Sequence, residues 1–236
     1  MCSNNLLKII IPKLTDELSD ALKGEKINTF LNPYSYLIAR KSIQVFEEID
    51  NIFIDGDLLI LIFTALKIKR MTRVSFDFTS IADSVFKYCI DQNKSIYFVG
   101  SNEKEIAIFT TKIKAKYPEM NILGYRNGYF NEDEKKEFSL LINNIQPNII
   151  VCGMGTPYQE KLLLLLKANG WRGTGFTCGG FFHQTASVDE INYYPDLVNK
   201  LNIRWLYRIF DEPKLLKRYL IYYPTSLLML FKDRLS

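Results

Sequence analysis

The stretch Asn148-Ile-Ile-Val-Cys-Gly-Met-Gly-Thr-Pro-Tyr-Gln-Glu160 decides how this chain is read. A short continuous apolar run ends in Gly153 and Gly155 and passes directly into a helix start. Thr156, Pro157 and Gln159 fit the N-cap, first-turn proline and third position of a capping box. A buried strand followed at once by a helix is the repeating unit of a parallel sheet. Glycines permit close backbone approach there, and a helix N-terminus offers unsatisfied N–H groups and partial positive charge to an anion. A diphosphate is the natural occupant, although the same residues also serve a chain that merely turns and caps its helix. Tyr158 stands at the third glycine of G-x-G-x-x-G, so a dinucleotide fingerprint fits poorly.

The same alternation extends outward to about residue 180. Apolar runs predict strands at 27–31, 51–54, 95–99, 121–125, 148–152 and 173–177. Between them, residues three or four apart mark helices, as with Ile81, Val85 and Cys89, or Ile106, Phe109 and Ile113. Asn32-Pro33 reads as an N-cap followed by proline, and Asn131 with Glu134 as a capping pair. The expected fold class is α/β, a mostly parallel sheet with helices on both faces, in which ligands bind beyond the carboxyl ends of the strands. Strand signals then stop. The expected division is a core over residues 1–195 and a helical, basic C-terminal appendage over 196–236.

Charge supports that division. The 236 residues carry a net charge of +4. From Arg204 onward seven Lys/Arg face three Asp/Glu, so the whole excess lies in the last 33 residues. There it mixes with Trp205, Tyr207, Phe210, Tyr219, Tyr222, Tyr223 and Phe231, a composition suited to an anionic membrane surface, or else to an ordinary solvated helical face. The excess is small and no recognition motif accompanies it, so no nucleic-acid partner is expected. The longest late uncharged run, 219–231, contains Pro224 and falls short of the roughly 20 residues a spanning helix needs. No signal peptide is read at the N-terminus. Cys2, Cys89, Cys152 and Cys178 are widely separated, which fits a reducing compartment and neither a disulfide framework nor a zinc site.

Two further segments carry candidate chemistry. In Ile52-Phe-Ile-Asp-Gly-Asp57, Asp55 follows a short strand, where a carboxylate can act as a general base on an attacking hydroxyl. Asp55 and Asp57 together also resemble an acidic pair that holds a divalent metal against nucleotide-sugar phosphates, and a solvated turn has the same composition. Thr29 and Asn32 end another strand and begin another helix, which places them toward the same crevice or makes them simple caps. His183, the single histidine, has no evident partner and is read as structural.

These segments in this order resemble the WecG/TagA/CpsF family of bacterial glycosyltransferases, glycosyltransferase family 26. The resemblance runs from about Thr29 to Leu220. It rests on Thr29-Phe-Leu-Asn-Pro33, Asp55-Gly56, Arg73-Val-Ser-Phe-Asp77, Asn127-Gly-Tyr-Phe130, Gly153-Met-Gly-Thr-Pro-Tyr-Gln-Glu160, Gly179-Gly-Phe181 and Arg204-Trp-Leu-Tyr-Arg-Ile-Phe-Asp-Glu-Pro213, continuing to Lys217-Arg-Tyr-Leu220. It implies a Rossmann-like core and inverting, metal-independent transfer from a UDP-sugar, often of the N-acetylmannosamine type or a related hexose. The implied acceptor is a sugar on a polyprenyl diphosphate, in bacterial surface polysaccharide synthesis. The implied location is cytoplasmic, peripheral on the inner face of the cell membrane.

By the resemblance, Asp55 is the general base with Thr29 beside it. Asn32, Gly153, Gly155, Thr156 and Gln159 bind the donor, and Arg73, Arg204, Arg208 and Arg218 serve phosphate or the lipid acceptor. No cofactor and no metal are implied. Phe76 stands where the family often has glycine, His183 replaces a frequent aspartate, and Asp57 sits where a small residue is common. A metal-dependent transferase using Asp55 and Asp57, a non-catalytic nucleotide-binding membrane adaptor, and homo-oligomerisation all stay open at this point.

Overall fold

The computed structural model describes residues 5–188 and 215–235. The strands are β1 (Ile27–Leu31), β2 (Asn51–Ile54), β3 (Ile96–Gly100), β4 (Ile122–Arg126), β5 (Ile149–Gly153) and β6 (Thr174–Thr177). They form one all-parallel sheet in the order β2-β1-β6-β5-β3-β4. Helices α1 (Leu6–Ile10) and α2 (Leu18–Leu22) precede β1. Then come α3 (Pro33–Arg40), α4 (Ile43–Glu48), α5 (Asp57–Ala65), α6 (Ala82–Asp91), α7 (Glu103–Lys116), α8 (Glu132–Ile145), α9 (Tyr158–Ala168) and α10 (Phe181–Ala186).

All six strands fall within one residue of their sequence positions, because a parallel strand covered on both faces reads as a continuous apolar run. Every residue of β1, β2, β3, β5 and β6 is buried, while the edge strand β4 is not. The entries of β3 and β5 shift by one residue for a visible reason. Ser95 and Asn148 clasp each other by side chain, the Ser95 amide donating to Asn148 Oδ1 at 2.9 Å and the Asn148 amide to Ser95 Oγ at 3.1 Å.

Each face of the sheet buries its own core. One is mainly aliphatic and includes Leu6, Leu31, Tyr36, Leu163, Trp171 and Leu230. The other is aromatic, with Phe30, Phe53, Phe76, Phe86, Phe98, Phe109, Phe176, Phe181 and Phe182 linked by ring contacts. Ile106, Phe109 and Ile113 of α7 lie in that second core, as their spacing predicts.

The described tail is helical. Leu215–Lys217 leads into a π-helical stretch, Arg218–Tyr222, and then into α11 (Tyr223–Leu235). Pro224 accounts for the wide turn: it has no N–H to give and its ring crowds the carbonyl four residues back, so the Tyr223 amide bonds Arg218 O instead. α11 packs on α1 and α3 and buries Leu230 and Asp233. The boundary expected at residues 195 and 196 lies outside the described residues, as do Trp205, Tyr207 and Phe210. Among the described residues no helix is long and apolar enough to cross a membrane.

Candidate active site

A cleft of about 1200 Å³ opens at the carboxyl edge of the sheet. Its floor comes from residues at or just beyond the ends of β1, β2, β3, β5 and β6, and its outer wall from the π-helical stretch and α11. The connections leaving β3 and β5 run in opposite directions, the topological position at which open α/β sheets bind ligands. The two strand ends meet so closely that a Cβ on Gly100 would lie 2.3 Å from Gly153 O. Only glycine fits there.

Asp55 stands at the end of β2, where its amide prolongs the ladder to Leu31 O at 2.7 Å. Gly56 follows with φ +150°, a turn that favours glycine and releases the chain into α5. The half-buried Asp55 carboxylate accepts from Arg73 Nη2 at 2.9 Å and faces the cleft. Arg73 also reaches Asp77 at 3.5 Å and Ser75 Oγ at 2.8 Å. Burial alone would lower the Arg73 pKa, but Asp55 and Asp77 outweigh it and raise it. The resemblance puts Arg73 among the phosphate ligands. Its Nη2 ties together two carboxylates, and the residue lines the cleft. Asp57 opens α5 at the surface of the same cleft.

Gly153, Gly155, Thr156 and Gln159 line the opposite side of the cleft, but their local geometry corrects the capping box. The N-cap of α9 is Pro157, after a cis Thr156–Pro157 bond, and no side chain caps the helix. Gly155, at φ +76°, turns its carbonyl onto the Tyr158 and Gln159 amides at 2.9 and 3.1 Å. The first-turn donors of α9 are therefore occupied. Among the described residues, the amides of Met154, Gly155 and Thr156 make no hydrogen bond, so the unoccupied donors sit in the loop before the helix. Asn32 does cap α3, its Oδ1 accepting from Ser35 N at 3.0 Å, and it lines the cleft.

Thr29 needs a second correction. It is fully buried within β1, does not reach the cleft, and donates to Glu160 Oε1 at 2.7 Å. Its hydroxyl is shared between Glu160 and Thr177, whose Oγ1 lies 3.0 Å away. Glu160 is a residue that the sequence reading passes over. Its place three before Leu163 and six before Leu166, both buried, puts an acid on the apolar stripe of α9, a signal that was there to read.

A sequence profile described as the glycosyl transferase WecG/TagA/CpsF family matches residues 5–236. This chain belongs to that family. It is 36% identical over 228 residues, 94% of each chain, to a UDP-Gal:alpha-D-GlcNAc-diphosphoundecaprenol beta-1,4-galactosyltransferase of Shigella boydii. It is also 26% identical over 129 residues to an N-acetylglucosaminyldiphosphoundecaprenol N-acetyl-beta-D-mannosaminyltransferase of Bacillus subtilis, covering 55% of this chain and 49% of that one. The protein is thus a glycosyltransferase.

Within the WecG/TagA/CpsF family frame, this chain's departures have structural settings. Phe76 is buried between Phe30, Phe86, Phe176 and Phe181, so its ring helps to close the aromatic core under the cleft. His183, for which the sequence shows no partner, has one in the fold: its Nδ1 lies 2.9 Å from Glu105 Oε1, and it lines the cleft. Burial pushes Glu105 up, but the Ser101 hydroxyl and His183 outweigh burial and hold it below the usual carboxylate range. Neither partner was legible because α7 and α10 meet only in the fold. Arg218 lines the cleft and stacks over the Tyr34 ring at 4.1 Å. Arg204 and Arg208 lie outside the described residues.

Proposed function

We propose that this enzyme transfers a hexosyl unit, galactose in the first instance, from a UDP-sugar to a sugar carried on a polyprenyl diphosphate. The observation that carries this reading is a single cleft bounded on one side by Asp55 and on the other by the Gly153–Gln159 loop. Asp55 removes the proton from the acceptor hydroxyl as its oxygen attacks the anomeric carbon, and UDP leaves from the opposite face. A β-linked product from an α-linked nucleotide sugar is the inverting outcome of that single displacement. The loop amides of Met154, Gly155 and Thr156, with Arg218, supply fixed donors to the departing diphosphate. We take the reaction to be metal-independent: Arg73 already supplies the positive charge between Asp55 and Asp77. Surface polysaccharide synthesis is the setting that fits such an acceptor.

The test is a panel of UDP-sugars with a short-chain polyprenyl-diphosphate-N-acetylglucosamine acceptor. UDP-galactose should give a β-1,4-linked disaccharide product, at a rate unchanged by EDTA. Binding of UDP with no transfer from any UDP-sugar would overturn the proposed reaction, and loss of activity with EDTA would overturn its metal independence.

The lipid-linked acceptor requires access to a membrane, and we place the enzyme peripherally on its inner face. Support comes from α11, where Leu228, Phe231 and Leu235 form an i, i+3, i+7 stripe exposed by 69%, 48% and 87%. Lys232 and Arg234 neighbour it in sequence, in the last turn of the same helix. Sedimentation with anionic vesicles should fall as salt rises, because surface attraction is screened over about a Debye length. The pair Leu228→Asp and Phe231→Asp should weaken vesicle binding about tenfold or more, from lost burial of two large apolar side chains. Unchanged sedimentation of that variant would remove the stripe from the membrane contact.

A further inference from the structure

Beneath the cleft floor lies a carboxyl group that the proposed reaction does not use. Glu160, in the first turn of α9, is 0% exposed. Three donors converge on its Oε1: Thr29 Oγ1 at 2.7 Å, Thr156 Oγ1 at 3.2 Å and Gln159 Nε2 at 3.2 Å. Its Oε2 is buried with no hydrogen-bond partner among the described residues. An unpartnered buried oxygen is costly, and an apolar side chain would fill this helix position with less penalty. The group is therefore to be explained by what it orders.

Two of its three donors reach the ligand space. Thr156 and Gln159 both line the cleft, whereas Glu160 and Thr29 do not. Gln159 Nε2 is directed to Glu160 and, at 3.4 Å, to Thr156 Oγ1, while Gln159 Oε1 accepts from the Gly179 amide at 3.3 Å on the cleft wall. The amide is thus held with its nitrogen turned down into the protein and its oxygen turned toward the wall. Held this way, Gln159 offers an acceptor, suited to a sugar hydroxyl and not to a phosphate. Thr29, itself braced at 3.0 Å by Thr177, fixes Glu160 from the sheet side.

We propose that Glu160 is a positioning residue for the sugar donor, acting through Gln159 and Thr156, and that Thr29 influences the donor site through Glu160. This rests on the reading above that Gln159 and Thr156 border the donor. It extends that reading by naming the device that sets the polarity of the Gln159 amide and by giving a buried threonine a route to the cleft.

The test is a double-mutant cycle on the full chain, with donor KM, kcat and melting temperature measured for each protein. Thr29→Val and Gln159→Ala should each raise donor KM about tenfold, the loss of roughly one hydrogen bond to a fixed partner. Combined, they should raise it no more than Gln159→Ala alone. Glu160→Gln keeps an acceptor at Oε1 and should stay within about threefold of wild type, whereas Glu160→Met should match Gln159→Ala. Multiplying effects in the double variant, or a lowered melting temperature with donor KM unmoved, would overturn the relay. If Glu160→Met does not fold, the Thr29 cycle still decides. A readout without substrate separates this proposal from the reaction itself: the Gln159 side-chain amide resonance of the free protein should shift in Thr29→Val. A resonance that does not move overturns the relay even if transfer is confirmed. A shifted resonance in a protein that turns over no UDP-sugar keeps the relay and overturns the proposed reaction.

Discussion

Replacing Asp55 by asparagine should lower kcat for sugar transfer by about a thousandfold, within the range a positioned general base contributes, and leave UDP affinity within about twofold. The argument is geometric. Asp55 is held at the end of β2 by the ladder bond to Leu31 and by Arg73, so the isosteric amide keeps its backbone position and can still accept from Arg73 Nη2. The substitution removes the capacity to take a proton and one of the two carboxylate charges facing Arg73, whose guanidinium stays paired with Asp77. The loop amides proposed to hold the diphosphate come from a different strand end, β5, and make no hydrogen bond to Asp55. Measuring kcat with saturating donor and acceptor, alongside calorimetric titration of UDP, separates the two contributions. A variant that retains a tenth or more of the wild-type kcat would remove Asp55 from the base role. Equal losses in turnover and UDP binding would mean instead that the cleft had collapsed.

Why Asp55 and the loop could be paired from sequence, while Thr29 was misplaced, follows from what a linear pattern encodes. A buried parallel strand announces itself by continuous apolar residues, and its last residue is where the apolar run stops. That logic puts Asp55, Asn32 and Gly153 at one sheet edge, and the cleft contains all three. It does not resolve position within a strand. Thr29 is two residues from the end of β1, and the strand's own burial takes it out of reach.

Side-chain partners across the fold were less legible for the same reason. Arg73 with Asp55 and Asp77, and His183 with Glu105, join segments that spacing leaves independent. Local caps were legible where a side chain bonds within three residues, as at Asn32 and Asn131. They were not legible at Thr156, where the positive φ of Gly155 sends a backbone carbonyl to the donors that the hydroxyl was expected to cap.

Asp233→Ala should destabilise the enzyme by about 3 kcal/mol, the scale of breaking a buried ion pair from one side, and lower its melting temperature by roughly 6–10 °C. Asp233 is buried on α11 and binds α3 twice, accepting from the Tyr36 hydroxyl at 2.6 Å and from Arg40 Nη1 at 2.9 Å. Its backbone carbonyl also accepts from Asn5 Nδ2 at 2.6 Å, which ties in α1. Truncation leaves the fully buried Tyr36 hydroxyl without that acceptor, while Arg40, about one-fifth exposed, regains some water. The ranking should therefore be Asp233→Ala worst and Asp233→Asn mildest, because an acceptor for Tyr36 survives and the freed Arg40 is partly solvated; Arg40→Met falls between them, because it leaves the Asp233 carboxylate, 4% exposed, without its cation. Arg40→Met milder than Asp233→Asn would show that the Tyr36 hydrogen bond, and not charge, dominates the anchor. The consequence reaches the cleft, since α11 carries Pro224 and Leu227 on its wall and α3 begins with Asn32 on its rim. Loosening the anchor should expose the chain near residues 215–222 to limited proteolysis and raise donor and acceptor KM together. Proteolysis and KM values unchanged in a variant with a clearly lowered melting temperature would mean that the wall of the cleft is held without this anchor.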